Sequence, residues 1–253
     1  MALSSAHPLP GALASIFAPL VMVAGMAAAP SSRPSARAEP GRINGTVVLS
    51  HALAARRPRF RIYADVEQGS TPPLKSAPDL KDEFANVVVY LELDAAKQLA
   101  DGSNLQMPKP AMVQRGEQFI PHVLPVLAGT TVAFPNEDDV FHNIFSLSGT
   151  RTFDLPKYPA GSSRSVTFPR RGVVNVFCHI HSDMNAVILV RDNPYFVSPD
   201  TSGTFSLDGV PPGDYTIVAW HERIKPVTAK IRIVSGQSAA IRFNIPLPPP
   251  VDR

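Results

Sequence analysis

The sequence predicts an all-β protein, and three observations carry that expectation. There are 27 prolines among 253 residues, against a usual share of about 5%, and an interior proline strips a helix of a donor and clashes with the preceding turn. The β-rich runs are short and punctuated by Gly, Pro and Asn. Apolar residues form 44% of the chain and charged residues 18%, which is enough for one or two cores and unlike a disordered or fibrous chain. A helical bundle is disfavoured.

From Gly11 to Ala29 the chain carries no charge and then turns Pro/Ser/Arg-rich, the pattern of a secretory signal over residues 1–38. Ala36-Arg37-Ala38 has the form of a cleavage site, with Ala27-Ala28-Ala29 as the alternative. The head before the run holds His7 but no Lys or Arg, so an uncleaved anchor stays open, and membrane association is expected only in that case. Arg33 and Arg37 precede the first acidic residue, Glu39, leaving 22 basic against 21 acidic residues beyond them. That balance gives no support to a nucleic-acid partner. Export to the periplasm is the expectation, where structural cysteines normally pair. This chain has one cysteine, Cys178.

Residues 43–49 (INGTVVL) and 86–93 (NVVVYLEL) read as strands. A long polar surface loop is expected between them, including the stretch Asp79 to Glu83. A short helix is expected at Asp94 to Ala100, closed by Asp101-Gly102-Ser103. Strands then follow at Ala111–Arg115, Phe119–Val126, Thr130–Pro135, His142–Ser146, Ser165–Phe168, Gly172–Cys178 and Asn185–Val190, a set that suggests a sandwich or barrel. After the Asp192-Asn193-Pro194 turn come GTFSLDGVPPGDYTIVAW, VTAKIRIV and AAIRFNI, separated by compact turns. The segments are thus 41–95, 111–192 and 197–247. The first either completes the sheet of the last, making the middle one an insertion, or stands before it in plain series.

Residues 178–184 read Cys-His-Ile-His-Ser-Asp-Met, placing a thiolate, an imidazole and a thioether at C-x-x-H-x-x-M after a β-rich run. Upstream, Phe134-Pro135-Asn136 leads through Glu137, Asp138 and Asp139 to His142-Asn143. Sulfur with borderline nitrogen is a copper-type ligand set. His142, Cys178 and His181 would form a roughly trigonal plane with Met184 as a weak axial ligand, as in blue-copper electron-transfer centres. Four side chains would fill that site, whereas metal-assisted hydrolysis needs an open position.

Residues 111–192 resemble a cupredoxin of the plastocyanin and amicyanin kind, on FPNEDDVFHN and GVVNVFCHIHSDM. The resemblance implies a Greek-key β-sandwich, one type 1 copper ion on His142, Cys178, His181 and Met184, a redox protein donor and acceptor, and no enzymatic activity. It also implies that Asn143 ties the two ligand loops together. His179 and Ile180 depart from the hydroxyl residue and proline of amicyanin-like loops. The flank GTFSLDGVPPGDYTIVAWHE resembles the transthyretin-like, carboxypeptidase regulatory-like domain, which implies a second small β-sandwich. The pairing is similar to that of exported proteins labelled methylamine-utilisation proteins.

Each residue alone has a plainer reading. Cys178 would be a buried small apolar group, His142 a backbone-bonded loop histidine and Met184 a core filler; only the joint spacing raises them. His179 is expected to face away from the site by strand alternation. His122 reads as a surface residue with a minor chance of touching metal. Glu137, Asp138 and Asp139 read as a solvated turn, the sharper alternative being an acidic patch that steers a cationic partner. Trp220 is expected in the C-terminal core, with His221 and Glu222 outside it. Met112 and Gln114 read as packing and surface residues. Beside the electron carrier stand two other classes: a copper-holding or copper-delivery module, motivated by His122 and His179, and a structural β-sandwich without a redox role.

Overall fold

A computed structural model describes residues 38–50, 80–93 and 109–245. The expected leader up to Arg37, the helix at Asp94 to Ala100 and the connection 51–79 lie outside the described residues. Among the described residues, regular structure is β throughout, apart from one short helix, α1 (Leu80–Phe84). That helix falls where a surface loop is expected from sequence. Glu83 and Phe84 are buried, so this end of the connection is pinned to the core.

Strands β1 (Gly41–Leu49) and β2 (Val88–Glu92) precede the middle segment. Strand β1 alternates buried and exposed residues along its whole length, the period-2 pattern of a sheet with one wet face. It lies between β13 (Thr204–Val210) and β16 (Ser238–Ile245), antiparallel to the first and parallel to the second. Strand β2 pairs with β12 (Phe196–Val197) and β14 (Gly213–Trp220), and β14 with β15 (Val227–Ile233). The strands before residue 95 therefore share sheets with the strands after residue 195. These two sheets close on one core that includes Ile43, Val47, Leu91, Phe205, Ile217 and Phe243.

The middle segment builds a second sandwich. One layer is ordered β5 (Val123–Leu127), β11 (Asn185–Arg191), β10 (Gly172–Phe177), β7 (His142–Ser148) and β8 (Arg151–Tyr158). Facing it are the pair β6 (Thr130–Pro135) and β9 (Ser163–Phe168) and the hairpin of β3 (Val113–Gln114) and β4 (Phe119–Ile120). Phe134, Ile144, Phe168, Val176 and Ile188 meet in the core between these layers. The run expected as one strand from Phe119 to Val126 breaks in two at Pro121-His122, because proline cannot donate to a ladder.

A third apolar cluster joins the sandwiches: Val88, Tyr90, Val218 and Trp220 from one against Val123, Val187 and Leu189 from the other. Strands β2 and β11 are thus buried on both faces, which explains why VVVYL and AVILV are continuous apolar runs. Trp220 packs in this joint rather than in the C-terminal core, correcting the sequence expectation. Polar contacts flank it. Arg191 stacks on Tyr90 with its guanidinium carbon 3.5 Å from the ring centroid, Asn193 donates to the Leu91 carbonyl at 3.0 Å, and His122 bonds Glu222 at 2.9 Å.

Candidate metal centre

Two strand ends make the site. Strands β7 and β10 run antiparallel with Phe145 opposite Phe177, so the start of one and the end of the other lie at the same edge of the sandwich. His142 is the first residue of β7, and Cys178 follows the last residue of β10. The chain then turns back within seven residues: Met184 N–H donates to the His181 carbonyl at 3.0 Å, and Cys178 N–H to the Met184 carbonyl at 3.1 Å. Asn143 Oδ1 accepts the His179 N–H at 2.9 Å, binding this loop to the start of β7.

The Cys178 Sγ lies 3.8 Å from His142 Nδ1 and 3.9 Å from His181 Nδ1, and the two nitrogens are 3.1 Å apart. A point in their plane lies about 2.0–2.1 Å from both nitrogens and about 2.2 Å from the sulfur, close to the bond lengths a divalent transition metal makes to imidazole and thiolate. The three donors fit such an ion. Met184 is buried in the same apolar cluster as Cys178. His142 is fully buried, while His181 is only partly so, which leaves His181 as the ligand candidate nearest solvent. Exposed apolar side chains neighbour both loops: Val140 at 44%, Phe141 at 56% and Ile180 at 41% exposure.

The far nitrogen of His142 is also engaged, Nε2 lying 2.8 Å from Asp138 Oδ2. An ionised carboxylate only accepts, so Nε2 carries the proton and Nδ1 turns its lone pair toward Cys178 and His181. Burial raises the Asp138 carboxyl, but hydrogen bonds from the Glu117 N–H, His142 and the Gly116 N–H more than offset it, and the group is held below the usual carboxylate range. Asn136 shapes the turn, accepting from the Asp138 N–H at 3.0 Å and donating to the Val140 and Tyr158 carbonyls at 2.8 and 3.2 Å. Tyr158 donates its hydroxyl to the Phe134 carbonyl at 2.9 Å and accepts from Gln114. Gln114 is fully buried, which corrects its reading as a surface residue.

The solvated-turn reading also fails for Asp138, whose side chain is 12% exposed. Nothing in Glu-Asp-Asp separates the middle acid from its neighbours; only its place four residues before His142 hinted at a role. His179 is exposed and stacks on Phe145 with centroids 3.7 Å apart. His122 bonds the Asn185 carbonyl oxygen at 3.1 Å through Nδ1 and Glu222 through Nε2, which places it in the joint between the sandwiches. His221 is not outside the core but fully buried, bonded to buried Glu83 at 2.8 Å. Among the described residues, His142, Cys178 and His181 form the one group of three His, Cys or carboxylate side chains close enough to share an ion.

No family model matches the chain, and no curated protein matches it. Solved structures similar to part of it include cupredoxins. A purple cupredoxin from Nitrosopumilus maritimus is 24% identical, covering 32% of this chain and 99% of its own, with a TM-score of 0.30. An oxidised amicyanin variant is 19% identical over 36% of this chain and 89% of its own, at 0.32. A copper-containing nitrite reductase from Thermus scotoductus is 32% identical over 40% of this chain, at 0.32, and the match spans 27% of the reductase chain.

Proposed function

We propose that the protein is an exported, periplasmic one-electron carrier holding one type 1 copper ion on His142, Cys178, His181 and Met184. The observation that carries this reading is the convergence of two Nδ1 atoms and one thiol sulfur on a single point, with edges of 3.1, 3.8 and 3.9 Å. Copper bound to such a mixed set shuttles between Cu(II) and Cu(I). The chain's part is to hold the ligands still: β7 and β10 fix the two loops, Asn143 ties them, and Asp138 sets the His142 tautomer. Little movement between oxidation states means rapid exchange. With four side chains filling the site, no position stays open for a substrate, which favours a carrier over an enzyme.

The exposed Val140 and Phe141 before His142, and Ile180 before His181, suit brief docking of a redox protein donor and acceptor. The copper-delivery alternative drew on His122 and His179, and both rings are engaged elsewhere. In this proposal the copper sandwich interrupts a transthyretin-like one, which serves as its rigid base.

The test is a Cu(II) titration followed by visible absorption. One equivalent should develop an intense blue or green colour that bleaches on reduction, and Cys178→Ser should abolish it. A colourless complex, or several tight equivalents, would overturn the carrier reading.

A further inference from the structure

The hairpin of β3 and β4 lies outside the ligand loops, yet its turn reaches the site. Arg115 and Gln118 exchange backbone hydrogen bonds at 3.0 and 3.3 Å, closing a two-residue turn. Its central residues, Gly116 and Glu117, both have left-handed backbones, with φ of 61° and 56°. Glycine takes that conformation freely, whereas a glutamate does so only against steric resistance. Successive N–H groups in such a turn form a concave nest for an anion. The anion here is a side chain: Asp138 Oδ1 accepts the Gly116 N–H, and Oδ2 accepts the Glu117 N–H at 3.0 Å while also accepting His142 Nε2–H at 2.8 Å.

We infer that Asp138 is a positioning residue for the copper ligand His142, and that the strained Gly116-Glu117 turn is the nest that holds its carboxylate in place. The inference deepens the copper reading and rests on it. The relay runs from hairpin amides to carboxylate to imidazole to the ion. A carboxylate hydrogen-bonded to a ligand of the ion would also stabilise the more highly charged Cu(II) over Cu(I), so its charge bears on the potential as well as the geometry. Arg115 pairs with Glu137 alongside, holding the same turn against the same loop from the solvent side.

Asp138→Ala and Asp138→Asn separate these effects. The asparagine can still accept from His142 but brings no charge. Loss of an outer partner of a metal-bound histidine typically costs about 10–100-fold in metal affinity, and Asp138→Ala should lose that much Cu(II) affinity. In Asp138→Asn the affinity loss should be smaller, yet the potential should rise, by about 59 mV for each tenfold preference shifted from Cu(II) to Cu(I). A metal-free readout accompanies these: in the apoprotein, nitrogen NMR should show His142 protonated at Nε2 in the wild type and a tautomer mixture in Asp138→Ala. Amide exchange at Gly116 and Glu117 should quicken in the same variant. If both variants keep wild-type copper affinity and potential while the wild type is coloured, the inference is overturned and the carrier reading stands. If the wild type takes no copper, the carrier reading falls together with the relay to a metal.

Discussion

Asn143 shows how much one side chain does at this site. Its Oδ1 lies 3.6 Å from Cys178 Sγ and accepts the His179 N–H at 2.9 Å, so the residue after one ligand fixes the residue after another. Truncating it to alanine leaves that N–H without its partner, a loss worth about 1–3 kcal/mol where the donor is screened from water. Asn143→Ala should therefore lower the urea midpoint of the apoprotein at unchanged m-value and weaken copper binding together. A variant as stable and as avid as the wild type would remove Asn143 from the account. The three donors that the structure brings together, His142, Cys178 and His181, were legible in the sequence because cysteine and histidine are rare in it and their spacing is specific. Asp138, Gln114 and His221 were not, since an acid, an amide or an imidazole takes its meaning from partners: Glu83 is 138 residues from His221, and no local pattern carries such a pairing.

Elements tell the same story in a different currency. Strand β8 has no counterpart among the expected strands, because Pro156 and its charges mask it; yet Phe153 and Leu155 pack toward the core while Thr152 and Asp154 point outward. It is an edge strand, where proline and half-exposure are tolerated. Strand β1 offers the sharpest local test. Gly45 sits opposite Phe205 across the ladder, and a Cβ there would lie 2.2 Å from the Phe205 ring and 2.9 Å from the Ile241 carbonyl oxygen. The aromatic ring fills the space the glycine leaves. Gly45→Ala should cost about 1–3 kcal/mol, the usual range for overpacking a core, read as a lower denaturant midpoint. A neutral outcome would mean that β1 does not lie between β13 and β16 as described.

Across the described residues the layers stack as sheet, core, sheet, joint, sheet, core, sheet, with the candidate metal centre at one edge of the second sandwich. The all-β class was readable from prolines and short runs. The sharing of sheets between 41–49, 88–92 and the strands after 195 was left open by the sequence, because pairing between β1 and β13 joins residues 158 to 169 positions apart and leaves no periodic trace. No helix among the described residues is long and apolar enough to cross a membrane, and Trp220, Tyr90 and Leu189 pack in one apolar cluster that joins the flanking sandwich to the one carrying the candidate metal centre.

X-ray absorption at the copper edge reads the atoms bonded to the ion. Protein loaded with one equivalent should show a single sulfur at about 2.2–2.3 Å and two nitrogens at about 2.0–2.1 Å, with the sulfur shell lost in Cys178→Ser. A shell of nitrogen and oxygen alone, unchanged by that substitution, would place the copper elsewhere and contradict the account.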